Sequence, residues 1–185
     1  MQDSKGFTLI ELLITISVVS VGIVGALVAI QQGIVAIDYA KDRLTGAMLA
    51  QEGVEILKNI RDTNLLENNY SGATQWDSGF SIAGIGGILE LEVEYSDAFS
   101  ADPSLDQLGC SPGCDFNSTQ LRYLKLADTD NYNYSSGRDT IFKRKIRIEK
   151  IDSQRYDVDV VVYWRKRGGG NYEIALKQYL YEWWQ

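Results

Sequence analysis

The hydrophobic pattern changes character twice along the chain. From Phe7 to Ile30 it is apolar almost without interruption, 24 residues with one formal charge, Glu11, and no proline. As helix this stretch is roughly 36 Å long at ~1.5 Å per residue. A bilayer core is about 30 Å thick, so the segment is long enough to span it with some tilt. Beyond Ile30 no strong helix breaker occurs before Arg61. Ile37, Ala40, Leu44, Ala47, Val54 and Leu57 recur at helical spacing, separated by Lys41, Asp42, Gln51, Glu52, Glu55 and Lys58. The spacing predicts one helix from about Phe7 to about Asp62. Residues 7–30 form a membrane half and residues 31–62 an amphipathic continuation, ended by Asp62-Thr63-Asn64 and the polar run Glu67 to Ser71.

The period then changes to two, and residues 63–185 read as a β-rich head. Leu89, Leu91, Val93 and Tyr95 alternate with Glu90, Glu92 and Glu94, which predicts a half-buried strand over Ile88–Tyr95 with its glutamates toward solvent. Gly84 to Gly87 before it reads as a turn rather than a phosphate cradle, because no helix follows. A short strand is expected at Tyr123 to Leu126. Ile141 to Ile151 places Phe142, Ile146 and Ile148 on one face. Tyr156, Val158, Val160, Val162 and Trp164 make the strongest alternation, and a glycine turn at Gly168-Gly169-Gly170-Asn171 leads into Tyr172–Leu180. The last three strands read as a meander joined by short turns. The fold class expected is α+β, a long N-terminal helix on an antiparallel sheet. Ser96 to Asp139 shows little pattern and is expected outward or at contacts between subunits.

Composition narrows the function classes. The chain is 45% apolar and carries a net charge of −7, which suits a packed head with a soluble surface and argues against a general nucleic-acid binder. It has no histidine, the usual general base and commonest metal ligand. Glu11 is the anomaly: a lone carboxylate inside an apolar span costs a few kcal/mol unless it is paired or reaches the headgroups.

Lys5-Gly6-Phe7-Thr8-Leu9-Ile10-Glu11-Leu12 resembles the class III signal of bacterial type IV prepilins and type II secretion pseudopilins. The resemblance implies a pilin-like fold and a leader, residues 1–6, removed by prepilin peptidase between Gly6 and Phe7. It also implies N-methylation of Phe7, and pairing of Glu11 with the Phe7 amine of a neighbouring subunit during assembly. Low dielectric favours such a pairing, because each charge is expensive alone. The partners implied are the peptidase, other pilin or pseudopilin subunits, an inner-membrane assembly platform and the membrane. The implied location is a single pass of the inner membrane, N-terminus cytoplasmic and head exported, then a periplasmic or extracellular filament. The role implied is structural, not enzymatic. Many pilins carry a proline where this chain has Val28; here Gly22, Gly25 and Gly33 are the positions for bending or for close helix packing. The tail, from Tyr163-Trp164 to Leu176-Lys177-Gln178-Tyr179-Leu180-Tyr181-Glu182-Trp183, resembles minor pilins and pseudopilins, as do Ala50-Gln51-Glu52-Gly53-Val54-Glu55 and Asn59-Ile60-Arg61-Asp62.

Several further residues invite a role. Cys110-Ser111-Pro112-Gly113-Cys114 is expected to close as a disulfide, with Pro-Gly supplying the turn. Two thiolates without histidine fall short of a zinc site. No cofactor is expected, calcium at Asp128 and Asp130 being the one cation their loop's oxygens could take, although the EF-hand pattern fails there. Lys143, Arg144, Lys145, Arg147 and Lys150, followed by Arg165, Lys166 and Arg167, could bind DNA in an uptake or adhesion subunit, or pair with acidic residues between subunits. Asn69-Tyr70-Ser71, Asn117-Ser118-Thr119 and Asn133-Tyr134-Ser135 match a glycosylation sequon too short to weigh.

Overall fold

The computed structural model describes residues 6–71, 75–80, 82, 84–94, 96–97, 105–110, 113–166 and 169–182, the side chains of 68–71 excepted. Helix α1 covers Leu9–Ser71. The strands are β1 (Ile88–Glu92), β2 (Asp106–Gln107), β3 (Lys125–Leu126), β4 (Tyr132–Asn133), β5 (Arg138–Asp139), β6 (Phe142–Lys150), β7 (Arg155–Arg165) and β8 (Asn171–Tyr181). The α+β architecture expected from the pattern is the one observed. The chain divides into two units, Met1–Asp42 and Arg43–Gln185.

In the first unit every residue from Gly6 to Lys41 is exposed, and its apolar side chains point in all directions around the helix. A helix apolar all round needs lipid or other helices as its surroundings. The few hydroxyls here are satisfied within the helix: Thr15 donates to the Leu12 carbonyl, Ser17 to Leu13 and Ser20 to Ile16. The helical backbone and these three hydroxyls thus need no water, which a bilayer core demands. The helix runs unbroken through Gly22, Gly25 and Gly33, with open space where each Cβ would lie. This is the chain's one helix long and apolar enough to cross a membrane among the described residues.

In the second unit the rest of α1 lies on a five-stranded antiparallel sheet of order β2-β1-β6-β7-β8. The face it buries is Gly46, Leu49, Ala50, Gly53, Val54, Ile56, Leu57 and Ile60. This differs from the stripe expected from sequence, in which Ile37, Ala40 and Leu44 took part; those three are exposed. Val54 and Leu57 of that stripe are buried as expected, and Gly46, Ala50 and Gly53 join them because small residues let the helix approach the sheet closely. A Cβ on Gly46 would sit 3.2 Å from the Trp164 ring, and one on Gly53 3.1 Å from Val160. Leu89, Leu91, Val93, Phe142, Ile146, Ile148, Tyr156, Val158, Val160, Val162 and Trp164 complete this core.

The helix ends nine residues beyond the expected Asp62. Leu65 is buried, and Asn64 Nδ2 donates to the carbonyls of Trp76 (3.2 Å) and Ser78 (2.8 Å), so the returning chain caps a polar side chain that sequence alone reads as a stop. Trp76 packs on Tyr156 with ring centroids 4.8 Å apart. Gly84 and Gly86 take positive φ, as the expected turn requires. Tyr95, Gly168 and Trp183, assigned from sequence to a strand, a turn and the tail, lie outside the described residues. The meander β6-β7-β8 forms as expected, from Phe142↔Trp164 through Arg165↔Asn171.

The largest departure concerns the other face of the sheet. Glu90 and Glu92 are buried rather than solvated, and so are Lys143 and Lys145. The segment that showed no pattern folds over that face. Within it β2 extends the sheet beside β1, and β3, β4 and β5 form a small second sheet of order β4-β3-β5. Leu108, Cys114 and Leu121 make a satellite core there, with Cys110 and Tyr163 against it.

Candidate functional site

Two places in the chain concentrate chemistry. At the N-terminal end, Gly6, Phe7 and Thr8 lie outside the helix and are exposed, and α1 opens at Leu9. Thr8 is the N-cap: its carbonyl accepts the Leu12 N–H at 3.2 Å, and its Oγ1 accepts the Glu11 N–H at 3.3 Å. Glu11 therefore sits at the third helical position, where a carboxylate also complements the positive end of the helix dipole. Gly6 has open space around it and Phe7 is 83% exposed, so the Gly6–Phe7 bond is sterically approachable. Lys5, the basic member of the motif, lies outside the described residues. Phe7 carries a peptide nitrogen in the intact chain, so an amine to pair with Glu11 can exist only after a cut.

In the head, alternate residues of β1 and β6 face each other with opposite charge under the Ser96–Asp139 segment. Glu90 Oε1 accepts from Lys145 Nζ at 3.0 Å, and Glu90 Oε2 accepts the N–H groups of Gly113 and Cys114, each at 2.9 Å. Lys145 also donates to the Cys114 carbonyl at 2.6 Å. Burial alone would raise the Glu90 carboxyl, but the Cys114 N–H, Lys145 and the Gly113 N–H together hold it below the usual range. The Cys110–Cys114 disulfide is formed, with Cα atoms 5.3 Å apart, and closes the loop that this pair grips; Ser111 and Pro112 within it lie outside the described residues.

Glu92 accepts from the Arg122 backbone N–H and Nε, both at 2.6 Å, and Arg122 also pairs with Asp106. Here burial prevails over Arg122, and the Glu92 carboxyl is raised. Lys143 donates to the Phe116 carbonyl at 2.9 Å and lies over the Tyr123 ring, 4.7 Å from its centroid. Burial lowers it. Glu92, Glu94, Asp97, Asp106, Arg122, Tyr134 and Ser135 line a polar cavity of about 200 Å³.

Arg144 points the other way, into the apolar core between sheet and helix. It is fully buried, donating to the Leu49 carbonyl of α1 (3.0 Å) and the Val93 carbonyl after β1 (2.6 Å), with Glu52 Oε2 at 3.3 Å. Arg147 pairs with Glu149 and Asp159, and Lys150 with Asp77. Three charges of the basic run on β6, Lys143, Arg144 and Lys145, are therefore buried against partners inside the head, while Arg147 and Lys150 are half-buried and paired with carboxylates nearer the surface. Arg165 and Lys166 flank the final turn, with Arg165 bonded to Asn171 and Asn117; Arg167 lies outside the described residues.

Asp128 and Asp130 lie exposed in the turn joining β3 to β4, where Asp130 takes φ 60°. Among the described residues no group of three or more His, Cys, Asp or Glu is placed to hold a metal ion. The sequon residues Asn117 and Asn133 serve local turns, Asn133 Oδ1 accepting from the Ser135 and Ser136 backbone; in the third sequon the side chain of Asn69 lies outside the described residues. Two features escaped sequence reasoning. Thr8-x-x-Glu11 has capping-box spacing, readable in advance. The acidic alternation of β1 and the basic alternation at Lys143, Lys145 and Arg147 were complementary, a signal that the two strands pair and share a covered face.

A family model, the prokaryotic N-terminal methylation motif, matches residues 1–27. No curated protein and no solved structure matches the chain.

Proposed function

We propose, from the premise that the chain matches a type IV pilin-like protein in its N-terminal motif and long apolar helix, that it is a minor pilin or pseudopilin. In this reading it waits in the inner membrane as a prepilin with its N-terminus cytoplasmic and its head exported. Prepilin peptidase cuts between Gly6 and Phe7 and methylates the new Phe7 amine, and an assembly platform inserts the subunit into a filament. The observation that carries the reading is the methylation motif at residues 1–27 running directly into a helix whose apolar side chains have no cover of their own. Packing among other subunits supplies that cover, and Glu11 with a neighbour's Phe7 amine sets the register. The minor-subunit assignment rests on the likeness of the tail to that class. The role is structural: the motif is that of filament subunits, and the head's buried charges, Glu90, Glu92, Lys143, Arg144 and Lys145, bond within its own fold.

The test is mass spectrometry of the mature N-terminus after co-expression with prepilin peptidase. N-methyl-phenylalanine at Phe7 is the expected result, and an intact Met1 overturns the processing reading. Glu11→Val is expected to be cut normally and to enter filaments poorly; normal incorporation removes the role given to Glu11.

A further inference from the structure

We infer that Thr8 is a positioning residue for the cut itself: by capping α1 it holds the Gly6–Phe7 bond outside the helix, in a form that a peptidase can hydrolyse. The inference rests on processing at that bond. Hydrolysis adds water across the Gly6–Phe7 peptide, leaving a carboxylate on Gly6 and an amine on Phe7. The attacked atom is the Gly6 carbonyl carbon. Inside an α-helix that carbonyl would accept the N–H of Ile10, four residues on, and the bond would be walled in by the surrounding turn. In the structure the helix starts late enough to avoid this. Thr8 carries both marks of an N-cap, the carbonyl bond from Leu12 and the Oγ1 bond from Glu11, and residues 6–8 are non-helical and exposed. Exposed non-helical backbone next to an ordered element is where proteases cut.

Nothing else in the segment marks the boundary so sharply. Phe7 is compatible with helix, and upstream Gly6 and Ser4 are residues of the N-cap type. A helix started from either would engage the Gly6 carbonyl, and one started from Ser4 would take both Gly6 and Phe7 into its first turn. Thr8 therefore selects against helix starts that hide the scissile bond.

The test compares cleavage rates of the full chain by prepilin peptidase in membranes, for wild type, Thr8→Val, Thr8→Ser and Thr8→Asn. Valine keeps the shape and removes the acceptor. Serine and asparagine keep a capping acceptor, asparagine without the hydroxyl. Thr8→Val is expected to be cut about fivefold more slowly, the factor a lost N-cap commonly represents, and the other two within about twofold of wild type. The Phe7 13Cα chemical shift of the full chain in micelles should move toward helical values in Thr8→Val alone. A wild-type chain cut normally, with Thr8→Val cut as fast, overturns the inference. So does a Thr8→Asn chain as slow as Thr8→Val, since that result assigns the hydroxyl to direct contact with the enzyme. A wild-type chain that is never cut overturns the processing reading, and this inference with it.

Discussion

Replacing Glu90 with alanine removes one carboxylate and strands three donors. Lys145 Nζ keeps its bond to the Cys114 carbonyl but loses the carboxylate at 3.0 Å, and the N–H groups of Gly113 and Cys114 lose their shared acceptor. Glu90 is 2% exposed and Lys145 8%, so water is slow to replace what is lost. Removing one partner of a buried pair costs about 3–5 kcal/mol, because the remaining charge is left uncompensated. Removing both, as in Glu90→Ala/Lys145→Met, costs less than the sum of the two single changes, with a coupling of about 2 kcal/mol expected for groups in one hydrogen-bond network. The assay is urea unfolding of the full chain in non-denaturing micelles, followed by tryptophan fluorescence, to which the buried Trp76 and Trp164 contribute. A Glu90→Ala loss below about 1 kcal/mol, or a double variant additive to within ~0.5 kcal/mol, would refute the reasoning.

Four other outcomes follow from the contacts on the two faces of the sheet. Opening the Cys110–Cys114 bridge by Cys→Ser changes frees a loop of sequence separation 4, worth about 2 kcal/mol by chain entropy, so the double-serine chain should be more stable than Glu90→Ala in the same urea series. Because Glu90 is held below its ordinary value, its contribution is present above the unfolded value of 4.5 and is lost as pH falls through its folded value; Glu90→Gln should flatten the acid limb of the stability–pH curve. Glu92, raised by burial, acts oppositely, favouring the folded state as it takes up its proton, so Glu92→Gln should steepen that limb. Gly53→Val should cost about 1–3 kcal/mol by overpacking, since even a bare Cβ there lies 3.1 Å from Val160 and 3.3 Å from Arg144 and Ile146; a thermal melt unchanged from wild type would place the helix farther from the sheet than it is.

What the sequence made legible was what depends on local period. The long apolar helix, the inward faces of β1, β6, β7 and β8, and the glycine turn before β1 are all set by side chains within a few residues of one another. The N-terminal motif was legible for the same reason: its information is contiguous. What it left illegible depends on residues far apart. The end of α1 is decided by Asn64 reaching Trp76 and Ser78, and the docking face of α1 by two glycines whose worth is visible only against Trp164 and Val160. Arg144 looked like part of a solvated basic run because an alternation of charge says nothing about which face is covered.

That misreading shows what the buried charges do. Alternation with glutamate on β1 and lysine or arginine on β6 reads as a polar, solvent-facing side when either strand is taken alone. Paired, with Glu90 opposite Arg147 and Leu91 opposite Ile146, the same alternation becomes a lock. A slip of β1 by one residue would turn Glu90 and Glu92 into the core beside α1 and carry Leu89 and Leu91 out under the Ser96–Asp139 segment. Buried ion pairs are weak as a source of net stability, since desolvation offsets most of their attraction. Their effect here is on the alternatives: a one-residue slip leaves carboxylates in hydrocarbon-like surroundings and ammonium groups without partners. The disulfide loop is gripped by Glu90 and Lys145 together, and Arg122 by Glu92 and Asp106, so register on one face also places the cover over it. The irregular segment, which has almost no pattern of its own, thus takes its position from charges on β1 and β6 that the sequence displays openly but whose partners only the fold brings together.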